Sequence, residues 1–369
     1  MGLASGDHGV KTTCKIAFSD SYRDFADLVQ ARTALQKTAK QTCVILDGNV
    51  LLKNVPTELW NFQQHYERFR VSVKQAYKAA DTVIVIFDDH VTRAKKFEQN
   101  RRDNARSKGK PVVSADLKEE ICPTTDEFTF DQINNIVNIH HLYDERAARP
   151  RLIDILCKKL MESFLAEQKS SVKRFATNSS DPASQTLIFD GVDCRGGERA
   201  FGEPREGAFY CSNAAFDDRL ERKPTEHVGE GDVKFTDLQR RISKLKEKGK
   251  GFADVELVIL STIDTDSIGI ELMRVALDEY QGTKMPFDTL LAFRERPPKR
   301  KADEADVVVS ASYSTFHTKH LYNLVITAIL GDNFEPMKHL HPHVIFLLTT
   351  LWVLGGSDFA KQPGMRADI

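Results

Sequence analysis

The chain has 369 residues, 41% of them hydrophobic, which suits a soluble globular protein of one large domain or two ordinary ones. Lys and Arg number 52 against 53 Asp and Glu, a net charge of −1, so a polyanion would be held locally rather than over the whole surface. Six cysteines (Cys14, Cys43, Cys122, Cys157, Cys194, Cys211) lie scattered without CxxC pairing, and no charged-then-apolar leader opens the chain, so neither a disulfide scaffold nor a zinc ribbon is indicated. A reducing, intracellular compartment is expected.

The first strong strand signal is Thr42–Leu46 (TCVIL), a continuous run rich in β-branched residues, and the second is Thr82–Phe87 (TVIVIF). Between them Leu59–Ala79 carries apolar and aromatic residues at helical spacing. Strand, helix, strand in this order predicts an α/β fold with a doubly wound, mostly parallel sheet flanked by helices. A very polar helix, Val91–Arg106, follows, then a helix over Leu152–Glu167 and a polar linker, Thr177–Gln185 (TNSSDPASQ). That linker is the expected boundary between an N-terminal region, 1–176, and a second region, 186–369, that completes the same site. The strand-like TLIF (Thr186–Phe189) leads into a Gly-rich, charged insertion through Lys223. A basic helix over Phe235–Glu247 and a strand, Val255–Ser261 (VELVILS), come next. A further irregular insertion, Arg294–Asp306, precedes the final helices. The most apolar stretch, Val344–Gly356, is too short to span a bilayer and reads as a buried helix, so no membrane association is expected.

Three apolar strands run straight into acids: TCVIL into Asp47, TVIVIF into Asp88, and VELVILSTI into Asp264 and Asp266. The carboxyl ends of parallel strands form the ligand crevice of such a sheet, so these acids should converge. On an extended segment Asp264 and Asp266 would point the same way. Glu230 and Asp232 sit in GEGDVK at a helix entrance, and Asp358 lies in LGGSDF after the apolar helix. Acids clustered without matching bases repel one another unless cations lie among them, and hard oxygen donors select Mg²⁺ or Mn²⁺. Phosphodiester hydrolysis with two ions about 3.5–4 Å apart suits such a cage. The competing explanation of each acid taken alone is a helix cap.

The segments LDGN (Leu46–Asn49), FDD followed by RAKKFEQNRR (Phe87–Arg102), GEGDVK (Gly229–Lys234), DTD (Asp264–Asp266) and LGGSDF (Leu354–Phe359) together resemble the superfamily of flap endonucleases, XPG-type nucleases and 5′→3′ exoribonucleases, in that family's order. The resemblance spans about residue 42 to the C-terminus. It implies a PIN-like α/β fold and a 5′ nuclease using two Mg²⁺ or Mn²⁺ ions. Asp47, Asp88, Glu230, Asp232, Asp264, Asp266 and Asp358 would be the metal-site acids. GEGDVK, Asn49 and Arg93-Ala94-Lys95 look like the exoribonuclease branch, whereas the serine of LGGSDF looks like the flap endonucleases. Asp89 stands where the family places glycine, and Asp232 where it places glutamate.

By the same resemblance Lys95, Gln99 and Arg102 would hold the 5′-terminal phosphate. Their spacing puts all three on one helix face. Asp103 replaces a fourth basic residue of that pocket, with Arg101 its nearest substitute. Lys95 and Arg102 would serve cleavage in either branch. The partner is thus RNA or DNA with a free 5′ end. A structure-specific DNA flap or gap endonuclease and an inactive nucleic-acid-binding PIN-like protein are the alternatives.

Positive charge is concentrated in Arg93–Lys110 and Lys234–Lys250, and Lys244, Lys246, Lys248 and Lys250 could follow a phosphate backbone or simply face solvent. PPKRK (Pro297–Lys301) is a nuclear-signal-like run that leaves nucleus or cytoplasm open. His339, His341 and His343 (HLHPH) alternate across Pro342, a spacing that can bind metal but is more often incidental. Trp60 is expected in the core, and Lys53 stands where either branch tends to place a base-stacking residue.

Overall fold

The computed structural model describes residues 38–53, 62–77, 80–87, 148–169, 185–192, 208–213, 231–262, 266–294 and 313–356. They form two compact units, one within Gln41–Val255 and one from Glu256 onward with the short segment up to Lys40.

In the first unit β1 (Gln41–Asp47) is followed by a short helix, α1 (Gly48–Lys53), and by α2 (Phe62–Tyr77). Then come β2 (Thr82–Ile86), α3 (Ala148–Lys169), β3 (Thr186–Val192), β4 (Ala208–Cys211) and α4 (Gly231–Glu247). The strands lie in the order β4-β3-β2-β1. β1 pairs with β2 and β2 with β3 in parallel, whereas β4 returns antiparallel to β3. All five residues of β2 are buried, as a central parallel strand covered on both faces requires. β3, which follows the polar linker in sequence, pairs with β2, which precedes it.

The helices turn apolar stripes to this sheet. On α2 the buried residues include Phe62, Tyr66, Phe69, Val73 and Tyr77, at steps of three and four. The Phe69 ring lies 6.4 Å from those of Phe87 and Phe189, and Tyr77 stacks on Phe164 of α3 at 5.4 Å. Polar ties flank the contact: Lys74 and Arg70 reach Glu167 at 3.0 and 3.4 Å. Buried Asp154 of α3 accepts from the Tyr210 hydroxyl of β4 and pairs with Lys158 at 2.9 Å.

The second unit holds β5 (Val255–Thr262), α5 (Asp266–Tyr280), β6 (Asp288–Arg294), β7 (Tyr313–His317), α6 (Thr318–Leu330) and α7 (His341–Gly356). β5 and β6 are parallel, and β7 runs antiparallel to β6. Both units are therefore α/β with helical crossovers; pairing is mostly parallel in the first, while the second has one parallel and one antiparallel pair.

Two expectations need correction here. The strand into DTD ends at Thr262 and Asp266 already opens α5, so Asp266 does not lie on an extended segment and the alternation argument for Asp264 and Asp266 fails. An aspartate in a first turn is favoured by the helix dipole, which explains why the helix begins there. The apolar Val344–Gly356 run is helical, but it is not buried all round. Ile345 and Thr349 are buried, whereas Leu347 and Leu351 are 62% and 59% exposed, because a helix resting on α5 covers only one face. Among the described residues no helix is long and apolar enough to cross a membrane.

Candidate functional site

In the first unit β1 ends on Asp47, which is in register with Ile86 of β2, and Ile86 is in register with Asp190 of β3. In-register residues of parallel strands share a sheet face, so two acids stand at one level of the carboxyl edge, about 10 Å apart across two strand spacings. The Phe87 N–H, one residue further on, donates to the Asp190 carbonyl at 3.1 Å. Asp190 is 6% exposed. The sequence reading stopped the strand at Phe189 and missed it, although TLIFD repeats the pattern of TCVILD and TVIVIFD.

Asp47 also caps α1. Its Oδ1 accepts the backbone N–H groups of Asn49 and Val50 at 2.9 and 3.2 Å, so the cap explanation holds for one oxygen. A carboxylate offers two oxygens and about four lone-pair sites, so capping and cation binding are compatible. The side chain of Asn49 is buried, and its Nδ2 has no hydrogen-bond partner among the described residues. Gly48 is needed for close packing: a Cβ there would meet Cε1 of the Phe87 ring at 2.4 Å.

The GEGDVK segment enters α4 at Gly231, with Asp232 in the first turn. Lys234 is 2% exposed, and its Nζ donates to the Phe87 carbonyl at 2.5 Å. The expected basic surface thus begins further along. Lys246 is engaged as well, donating to the carbonyls of Val255 and Ala253 at 2.6 and 3.2 Å, which leaves Lys244, Lys248 and Lys250 exposed.

In the second unit Asp266 is 6% exposed at the start of α5, and Thr262 Oγ1 lies 3.1 Å from Ser267 Oγ across the turn. Further along α5, buried Arg274 pairs with Glu271 and Asp278 at 2.6 Å each. Burial alone would lower the pKa of this guanidinium, and the two carboxylates reverse that and raise it. Of the HLHPH histidines only His341 is buried. Its Nε2 lies 2.8 Å from the Phe334 carbonyl and its ring 4.4 Å from that of Phe334, a packing role; His339 and His343 face solvent.

Asp88, Lys95, Gln99, Arg101, Arg102, Glu230, Asp264 and Asp358 lie outside the described residues, as do Trp60 and Pro297–Lys301. Among the described residues no three His, Cys, Asp or Glu side chains gather as a metal cage. The donors that the first unit brings to its carboxyl edge, Asp47 and Asp190, are hard oxygens, which fits Mg²⁺ or Mn²⁺ and not a thiophilic ion. Of the described cysteines, Cys43 and Cys157 are buried and half-buried Cys211 on β4 donates its Sγ–H to the Asn213 carbonyl at 3.2 Å. No protein-family model and no curated protein matches the chain.

Proposed function

We propose that the protein is a divalent-metal-dependent nuclease acting at or near a 5′ end, built on a PIN-like, doubly wound sheet. The observation that supports this most is the pairing of β1 with β2. Asp47 closes one strand in register with Ile86 of its neighbour, and that neighbour continues in sequence through Phe87 to Asp88. The first acid of the motif series thus closes β1 and the second follows β2 in sequence, and the carboxyl ends of such adjacent parallel strands are where α/β sheets bind ligands.

In this reading Asp47, Asp88, Glu230 and Asp232 hold Mg²⁺ or Mn²⁺, and the sequence resemblance adds Asp264, Asp266 and Asp358. When bound, two such ions supply Lewis-acid activation of water and charge stabilisation of the leaving oxygen. The remaining tasks fall to the chain's own bases. Lys95 and Arg102 make charge-assisted hydrogen bonds to phosphate oxygens. Gln99 and Arg101 orient a 5′-terminal phosphate, which favours a 5′→3′ exoribonuclease over a flap endonuclease. Exposed Lys244, Lys248 and Lys250 offer a salt-sensitive path for the backbone.

The test incubates the full chain with 5′-labelled single-stranded RNA, single-stranded DNA and flap DNA, each with Mg²⁺ and with EDTA. Mg²⁺-dependent release of mononucleotides from RNA is expected. Release of an intact flap would move the assignment to the endonuclease branch, and binding without cleavage of any substrate would make the chain an inactive nucleic-acid-binding protein.

A further inference from the structure

Lys234 and Phe87 are 147 residues apart in sequence, yet the lysine Nζ sits 2.5 Å from the phenylalanine carbonyl oxygen in a buried contact. Burying an ammonium is unfavourable unless charge-assisted hydrogen bonds compensate, so a 2%-exposed lysine calls for a reason. The Phe87 carbonyl stands just past the carboxyl end of β2, one residue before Asp88 in sequence. The same residue is held from its other side, its N–H donating to the Asp190 carbonyl at 3.1 Å. Lys234 itself stands two residues after Asp232, in the opening turns of α4.

We infer that Lys234 is a positioning residue that ties the opening turns of α4, which carry Asp232, to Phe87 at the carboxyl end of β2, so that acids from distant parts of the sequence are brought to one sheet edge for a divalent cation. This rests on the metal-site reading above. A neutral donor could make the tie, but an ammonium also brings positive charge to a carbonyl one residue past the level of Asp47 and Asp190.

The experiment is calorimetric titration of full-length protein with Mn²⁺, alongside far-UV circular dichroism and thermal melting with and without Mn²⁺. Lys234→Met keeps the volume of the stem and removes the ammonium. It should fold with the wild-type spectrum while its Mn²⁺ affinity falls about 10–100-fold, the range typical of groups that orient metal ligands, and its melting temperature should gain correspondingly less from Mn²⁺. Should Lys234→Met not fold, Lys234→Gln, which keeps a shorter N–H donor, takes its place and should bind Mn²⁺ with an intermediate affinity. A folded Lys234 variant with wild-type Mn²⁺ affinity overturns the role given to Lys234 and leaves the metal site standing. Wild-type protein that takes up no Mn²⁺ overturns both.

Discussion

Gly48 and Phe87 meet so closely that a Cβ on the glycine would lie 2.4 Å from Cε1 of the ring. The residue after Asp47 and the residue before Asp88 therefore form one packed contact, with Phe87 itself lodged against Phe69. Gly48→Ala must displace the ring or the backbone, and overpacking of this kind costs about 1–3 kcal/mol. Urea unfolding measures it, and a change within about 0.5 kcal/mol would show that the ring yields freely.

Arg274 is the shared partner of two carboxylates on α5, Glu271 and Asp278. Arg274→Met leaves Glu271, which is 3% exposed, without its cation. Breaking a buried pair from one side costs about 3–5 kcal/mol, so the urea midpoint should fall markedly. Full stability in Arg274→Met would mean that the network is solvated enough to dispense with its cation.

The core of the first unit predicts sensitivity to alkali. Burial, and then the charge of Asp81, push the Cys43 thiol well above its ordinary 9.0. Burial likewise raises the Tyr77 hydroxyl, with Cys211 and Cys43 adding to the shift. Above the ordinary thiol value the unfolded chain releases protons that the folded chain keeps, so stability falls as pH rises from about 9 upward. The urea midpoint should hold between about pH 7 and 8.5, then drop, and Cys43→Ala should make the drop shallower. A midpoint that stays level to about pH 11 would contradict this.

Strands were the legible part of the fold, because β-branched runs announce themselves: Thr42–Leu46 against the observed Gln41–Asp47, and Val255–Ser261 against Val255–Thr262. The short antiparallel edges were not legible. AFYC of β4 is four residues inside a Gly-rich, charged stretch, and no local pattern marks it as paired with β3. Asp190 was within reach, since its strand runs into an acid as the others do. Lys234 was not: it reads as the first member of a basic run, whereas it is buried and donates to a carbonyl 147 residues away. Asp266 misled because DTD looks extended, whereas its second aspartate begins a helix.

The phosphate-pocket account makes a substrate prediction. A 5′-monophosphate RNA should be degraded much faster than the same strand with a 5′-hydroxyl, and Gln99→Ala should narrow the gap. Lys95→Ala and Arg102→Ala should each lose cleavage of both, since neither charge-assisted contact can be replaced. Equal rates on the two ends would remove the pocket and favour a flap-type enzyme.

Most direct is a comparison of wild type and Asp88→Ala on 5′-labelled single-stranded RNA, with Mg²⁺ and with EDTA, each protein checked for an unchanged melting temperature without metal. The account predicts cleavage only by wild type and only with Mg²⁺. Undiminished cleavage by a folded Asp88→Ala protein, or cleavage that survives EDTA, would contradict it.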